Sequence, residues 1–243
     1  MNWRCMFNGV ALLLLGMLSP TAAAHYRVGW LPDPPYLAGA AMVPTGEDIL
    51  RLQALLPAGS ELHFVQWPLA RQVRGLAEGG LDIALSLASI KPEAAWLSEP
   101  VRYAQYVLAI DPLQLERYQA VTDVGDVARQ GMLLGTLQDS RLQQQANTLL
   151  DGTVLIHSLR DLDQLIRLLW LGRLNGLVLD RGLLEQEPRL KPLLHLITLP
   201  PVAVRWAFSR HTFSAEQMHE INQRARLLTQ QGLASQERRH AGL

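Results

Sequence analysis

The histidines His25, His63, His157, His195, His211, His219 and His240 are scattered, with no H-E-x-x-H run or other metal-ligand spacing. No metal and no cofactor is assigned on that basis. Ser98 and Ser209 lack the G-x-S-x-G elbow that presents a nucleophilic hydroxyl. Glu93, Glu99 and Asp180 are carboxylates able to exchange a proton, a role that ordinary surface carboxylates explain less elaborately. There is no glycine-rich phosphate loop and no aromatic–basic interleaving for nucleic acid. Asp33 and Tyr36 lie in the turn-rich PDPPY segment, where the Tyr36 ring, like that of Trp67, either stacks on a ligand or covers an apolar wall. Ser86 and Ser89 sit at the end of the LDIALSL strand, and Thr136, Gln138 and Ser140 precede or open a helix whose free N–H groups suit an anion. Ser140 equally suits a plain helix cap, as Asp180 does for the short helix after it.

The elements that position these groups follow a signal for export. Arg4 supplies a positive start, Val10 to Leu18 form an apolar stretch, and Ala22-Ala23-Ala24 gives an A-x-A cleavage site, so the mature chain is expected to begin at His25. The apolar run is short for a membrane span. Cys5 leaves with the signal, so neither disulfide nor thiol chemistry is expected in an oxidising compartment. The charge balance of the 243-residue chain is 22 cationic against 22 acidic residues, and losing Arg4 leaves it near neutral. With 49% apolar residues the chain has enough hydrophobic material for a substantial core, which excludes a disordered tail. A basic nucleic-acid binder is excluded by the neutral balance.

Beyond the signal, strand and helix patterns alternate. Strands are predicted over YRVGWL (from Tyr26), ELHFVQW (from Glu61) and LDIALSL (from Leu81), with helices carrying Ile49, Leu52 and Leu55, then Leu69, Val73 and Leu76, between them. This order implies a parallel sheet covered by helices. The pattern repeats through YVLAI (from Tyr106), Gly131 to Leu137, a helix from Asp139, TVLIH, a helix with Leu162, Leu165, Ile166 and Leu169, GLVLD and LLHLITL. VAVRWAFS and a closing helix with Met218, Ile221, Ala225 and Leu228 then return to the first half. The expected organisation is a signal over 1–24, one lobe from 25–110 plus 202–243, and a second over 111–201, joined near Ile110-Asp111 and Pro200-Pro201. A double crossing makes a hinge, and ligands of open α/β sheets bind at strand carboxyl ends, here inside the cleft.

The segments RVGWLPDPPY, LDIALSLASIKPEAAWLSEPV, GRLNGLVLD and the closing WAFSRHTFSAEQMHEINQRARLLTQQG resemble, in order and spacing, the type 2 periplasmic solute-binding proteins of polar amino-acid ABC transporters. The resemblance implies a two-lobed α/β fold and a monomeric, non-enzymatic periplasmic protein that closes on a small polar solute, such as an amino acid or amine. Its implied partner is a membrane permease or a membrane sensor protein, and no nucleic acid. It also implies an arginine for the ligand carboxylate at the position held by Ala94, with Lys91, Pro92 and Glu93 before it, and an acidic residue where Asn175 stands. Arg71 or Arg102 can replace that arginine, or each can be a solvated surface cation. Asp180 matches the residue that receives a ligand ammonium. A degenerate sensor or interaction module is the alternative, and a dehydratase-type enzyme on the same scaffold stands behind it.

Overall fold

The computed structural model describes residues 24–87, 90–91, 93–113, 121–138, 141–143, 149–150, 152, 154–190 and 195–240, the last eight by backbone alone. Residues 1–23 of the signal segment, Ser89 and Ser140 lie outside the described residues.

Alternation of side chains along β1 (His25–Gly29) buries Tyr26 and Val28 and turns His25 and Arg27 outward. β1 lies parallel to both β4 (Glu61–Val65) and β5 (Ile83–Ala84). The linking helices are α1 (Glu47–Leu55), which buries Leu52 and Leu55, and α2 (Leu69–Glu78), which buries Gln72, Gly75 and Leu76. Val73, expected on the buried stripe of α2, is exposed at 38%, because the helix packs one position further round. LDIALSL forms only the short β5, since Ser86 leaves the ladder to bond the backbone of Leu31. The sheet is completed by β6 (Ala95–Leu97) and β14 (Ala207–Ser209), both antiparallel additions, in the order β4-β1-β5-β14-β6. Two further strands, β2 (Ala38–Ala40) and β3 (Val43–Thr45), form a small hairpin.

The second sheet has the order β10-β9-β11-β8-β12, from β8 (Tyr106–Ile110), β9 (Leu133–Leu137), β10 (Leu155–Leu159), β11 (Gly176–Asp180) and β12 (His195–Thr198). β10, β9 and β11 are parallel, while β8 and β12 run against them. Among the helices beside it are α3 (Val124–Arg129), α4 (Leu162–Trp170) and α5 (Arg181–Gln186), and Arg141 lies in a further helical segment. α4 buries Leu165, Ile166 and Leu169, as its spacing predicts.

The crossings differ from expectation. Tyr106–Ile110, expected to close the first half, is instead an inner strand of the second sheet, between β11 and β12. All five residues are buried, as a strand covered on both faces requires. The chain therefore changes sheets at β7 (Arg102–Ala104), which pairs antiparallel with β13 (Val202–Val204) as a separate two-stranded ribbon. The expected single strand over Val202–Ser209 is divided, β13 staying in that ribbon and β14 entering the first sheet. The closing helix α6 (Ala215–His240) lays Met218, Ile221 and Ala225 into the same core as Leu52 and Leu55.

Candidate functional site

The loop after β1 turns back on itself: the Asp33 N–H donates to Leu37 O at 2.8 Å, and the Tyr36 and Leu37 N–H groups both donate to Asp33 O. This folding aims the Asp33 carboxylate at Arg102 of β7, whose Nη2 donates to Asp33 Oδ2 at 2.9 Å. Arg102 also donates from Nε and Nη2 to the two oxygens of Asp48, at 3.0 and 3.3 Å. Asp48, in the first turn of α1, is almost wholly buried, and the Arg102 side chain is 5% exposed. The Tyr36 ring lies against the guanidinium, 3.8 Å from its carbon. Burial works to lower the Arg102 pKa, but Asp48 and Asp33 outweigh it and hold the guanidinium above its ordinary value. Burial, with Asp180 next, pushes the Tyr36 hydroxyl up to about 12.

The second sheet answers with Arg141. Its guanidinium crosses to the first sheet and donates from Nη1 to Leu87 O at 3.0 Å and from Nη2 to Leu85 O. Its Nε lies 3.7 Å from Asp33 Oδ2. The side chain is 2% exposed, and neither its Nε nor Nη1 of Arg102 has a hydrogen-bond partner. Asp180, at the end of β11, accepts the Gly182 N–H at 2.8 Å and so caps α5. Burial drives its carboxyl up to about 6, against the opposing pull of Arg102. Between these groups lies a cavity of ≈ 20 Å³, bounded by Asp33 and Pro34 on one side and by Tyr106, Thr136, Val178 and Asp180 on the other, with Leu137, Leu142 and Leu183 closing it. That is room for a single water.

Asp33, Tyr36, Arg102, Thr136 and Asp180 are thus brought together, Thr136 with its hydroxyl donating to Val178 O at 3.3 Å. Ser86 lies near them, but its hydroxyl is engaged with the backbone of Leu31. Arg71 stacks on Trp67 at 4.1 Å as a surface pair, with Trp67 packed toward the cluster that holds Leu76 and Leu81. Gln138 is exposed and bonds Leu159 through its backbone. The structure does not bring these three to the cavity: the Trp67 ring is paired with Arg71, and Gln138 is exposed. Arg102, expected as a spare guanidinium for a ligand, is committed to two carboxylates. Asn175 stands at the opposite end of β11 from Asp180, where its Oδ1 accepts the Leu133 N–H at 2.7 Å and aligns β9. Glu99, drafted as a proton-exchanging group, is an ion-pair partner of Arg205 and Arg226.

Asp48 and Arg141 were missed. A cation in the opening turn of a helix opposes the macrodipole, and Arg141, in the first turn expected after Asp139, carried that signal. Nothing local marks Asp48 as buried.

No family model matches the chain, and no curated protein matches it. Solved structures do. An ancestral amino acid-binding protein described as a precursor of cyclohexadienyl dehydratase is similar at 17% identity and a TM-score of 0.64, over 89% of this chain and 95% of that one. The GluR0 ligand-binding core in complex with L-glutamate gives 18% and 0.66, over 88% and 96%. An amino-acid ABC transporter substrate-binding protein from Streptococcus pneumoniae, bound to L-arginine, gives 16% and 0.61, over 86% and 90%. The fold is therefore the two-lobed periplasmic-binding-protein α/β fold that these structures share.

Proposed function

We propose that this chain is an exported solute-binding protein whose lobes part and close about β7 and β13 over a small polar solute carrying an ammonium or guanidinium group, for ABC-type uptake. One observation carries the reading: at the lobe junction, a guanidinium of the chain itself is held by the carbonyls of Leu85 and Leu87 beside Asp33. A pocket that satisfies one guanidinium by these acceptors suits another cation of the same shape. Asp180 adds a second anionic group across the cavity. The similar structures that hold L-arginine and L-glutamate support an amino acid as the solute class. Entry requires opening, because ≈ 20 Å³ admits water and no amino acid. The solute would then displace Arg141, with a cost set by the latch it breaks.

Export rests on the signal sequence, with cleavage before His25, release into the periplasm as a monomer, and a membrane permease as partner. We assign the first lobe to 25–101 with 205–240 and the second to 105–201, a division that the sheet membership of β8 and β14 supports. Non-enzymatic action is part of the proposal: Asp180 is the sole one of the three drafted carboxylates to line the cavity.

The test is a calorimetric and thermal-shift screen of the mature chain against amino acids, agmatine and polyamines. The expected result is a melting temperature that rises with concentration for at least one cationic solute. A flat screen for both the parent and Arg141→Gln would overturn the reading. Binding that emerges only in Arg141→Gln would support the second reading, a self-occupied sensor or interaction module, which the filled cleft favours.

A further inference from the structure

At the outer end of β1, parallel pairing sets His25 opposite Glu61 and Arg27 opposite His63. His25, Glu61 and His63 consequently share one exposed sheet face, two of them two residues apart on β4 and the third beside them. Their donor atoms lie within 4.8 Å of one another, with His25 Nδ1 3.0 Å from Glu61 Oε2. The imidazole rings are stacked with centroids 6.1 Å apart. The sequence spacing of these residues signals no metal, because the third ligand arrives through strand pairing and not through a local motif.

We propose that the mature protein binds one copper(II) ion here, through His25, Glu61, His63 and the α-amine of His25. This rests on the export reading, since cleavage after Ala24 is what frees that amine. The amine nitrogen and Nδ1 of one histidine close a six-membered chelate ring on a metal, and Nδ1 is the atom already turned toward Glu61. His63 adds a second imidazole and Glu61 a carboxylate oxygen. Three nitrogens and one oxygen suit tetragonal copper(II), which also leads the divalent series in affinity. Metal–ligand bonds of about 2.0–2.2 Å require the donors to draw closer than 4.8 Å. Side chains 61% and 60% exposed, as those of His25 and Glu61 are, can turn to do so at little packing cost. Without a metal the His25–Glu61 contact is an exposed pair and contributes little by itself.

The experiment uses four forms of the folded chain: one beginning at His25, one retaining Ala24, and the His25-start chain with His63→Ala or with Glu61→Gln. Copper(II) is titrated in the presence of a competing chelator, with electron paramagnetic resonance and zinc as a comparison, and unchanged melting temperatures establish that each form is folded. The His25-start chain is expected to bind one equivalent with a nitrogen-rich axial spectrum. Retaining Ala24 or removing His63 weakens binding at least tenfold, Glu61→Gln severalfold, and zinc binds more weakly than copper. Equal affinity in the parent and His63→Ala would overturn the site, leaving copper on the bare N-terminus alone. Equal affinity with and without Ala24 would overturn the role of the amine. Intact mass of the exported protein separates this from the parent reading: a start other than His25 overturns the copper site while the solute screen stands.

Discussion

Asp180 is the residue whose environment makes the sharpest demand on pH. Its carboxyl ionises near 4 in an unfolded chain and at about 6 in the folded one, because burial opposes the charge. Between those values the folded protein keeps a proton the unfolded chain has lost, so this group favours folding most below pH 4, and the advantage disappears as pH rises through 6. The difference is on the order of 3 kcal/mol. Asp180→Asn retains an oxygen to cap α5 but carries no charge. Chemical denaturation should therefore show the variant gaining about 1–3 kcal/mol over the parent at pH 7 and little at pH 4. A parallel pH profile for the two proteins would contradict the assignment. For a cationic solute the same substitution should weaken binding above pH 6, where the parent carboxylate is charged. Arg102 belongs to the opposite case: Arg102→Met strands the buried Asp48 carboxylate, and the expected loss is about 3–5 kcal/mol in urea unfolding. Arg102→Lys should recover only part of it, because one ammonium cannot span both Asp48 oxygens and Asp33.

At the scale of elements, the site depends on how two loops are pressed into place. Gly46, just before α1, has φ +123°, and a Cβ there would sit 2.2 Å from Tyr36 O. Gly46→Ala should consequently drive the Asp33–Tyr36 loop away from Arg102, with backbone strain and steric overlap together costing about 2–3 kcal/mol. Chemical shifts of Asp33 and Tyr36 should move with it. Gly135 in β9 has the same service for the second lobe: an added Cβ would meet Leu174, Leu165 and Leu177 side chains at 2.6–2.9 Å. Gly135→Ala is expected to cost about 1–3 kcal/mol by overpacking α4 against the sheet, without disturbing the first lobe. Helix and strand types were readable from spacing because each has one buried face. Membership in a sheet was not, as β8 illustrates: an all-buried run such as Tyr106–Ile110 fits the middle of either sheet.

For the whole molecule, Arg141 is the connection whose removal should change shape. Its two bonds to Leu85 and Leu87 tie a helix of the second lobe to the rim of the first. Arg141→Gln should shift the population toward open lobes, read as a larger radius of gyration in small-angle scattering. Retention of the parent radius would show that Tyr36 and Pro35, which pack beside Gly182, suffice to hold the lobes together.

Periodicity and turn residues were enough to establish a repeated α/β pattern, a chain that returns to its first half, and Asp33, Tyr36 and Asp180 at loop or strand-end positions. Those features are local, written by which side chains must leave water along each element. The sheet crossing at Arg102–Ala104, the burial of Asp48, the latch of Arg141 and the meeting of His25 with Glu61 and His63 were decided by tertiary structure alone. Each joins residues far apart in the chain, and the desolvation and pairing that give them meaning exist only once the two sheets and the ribbon between them have formed.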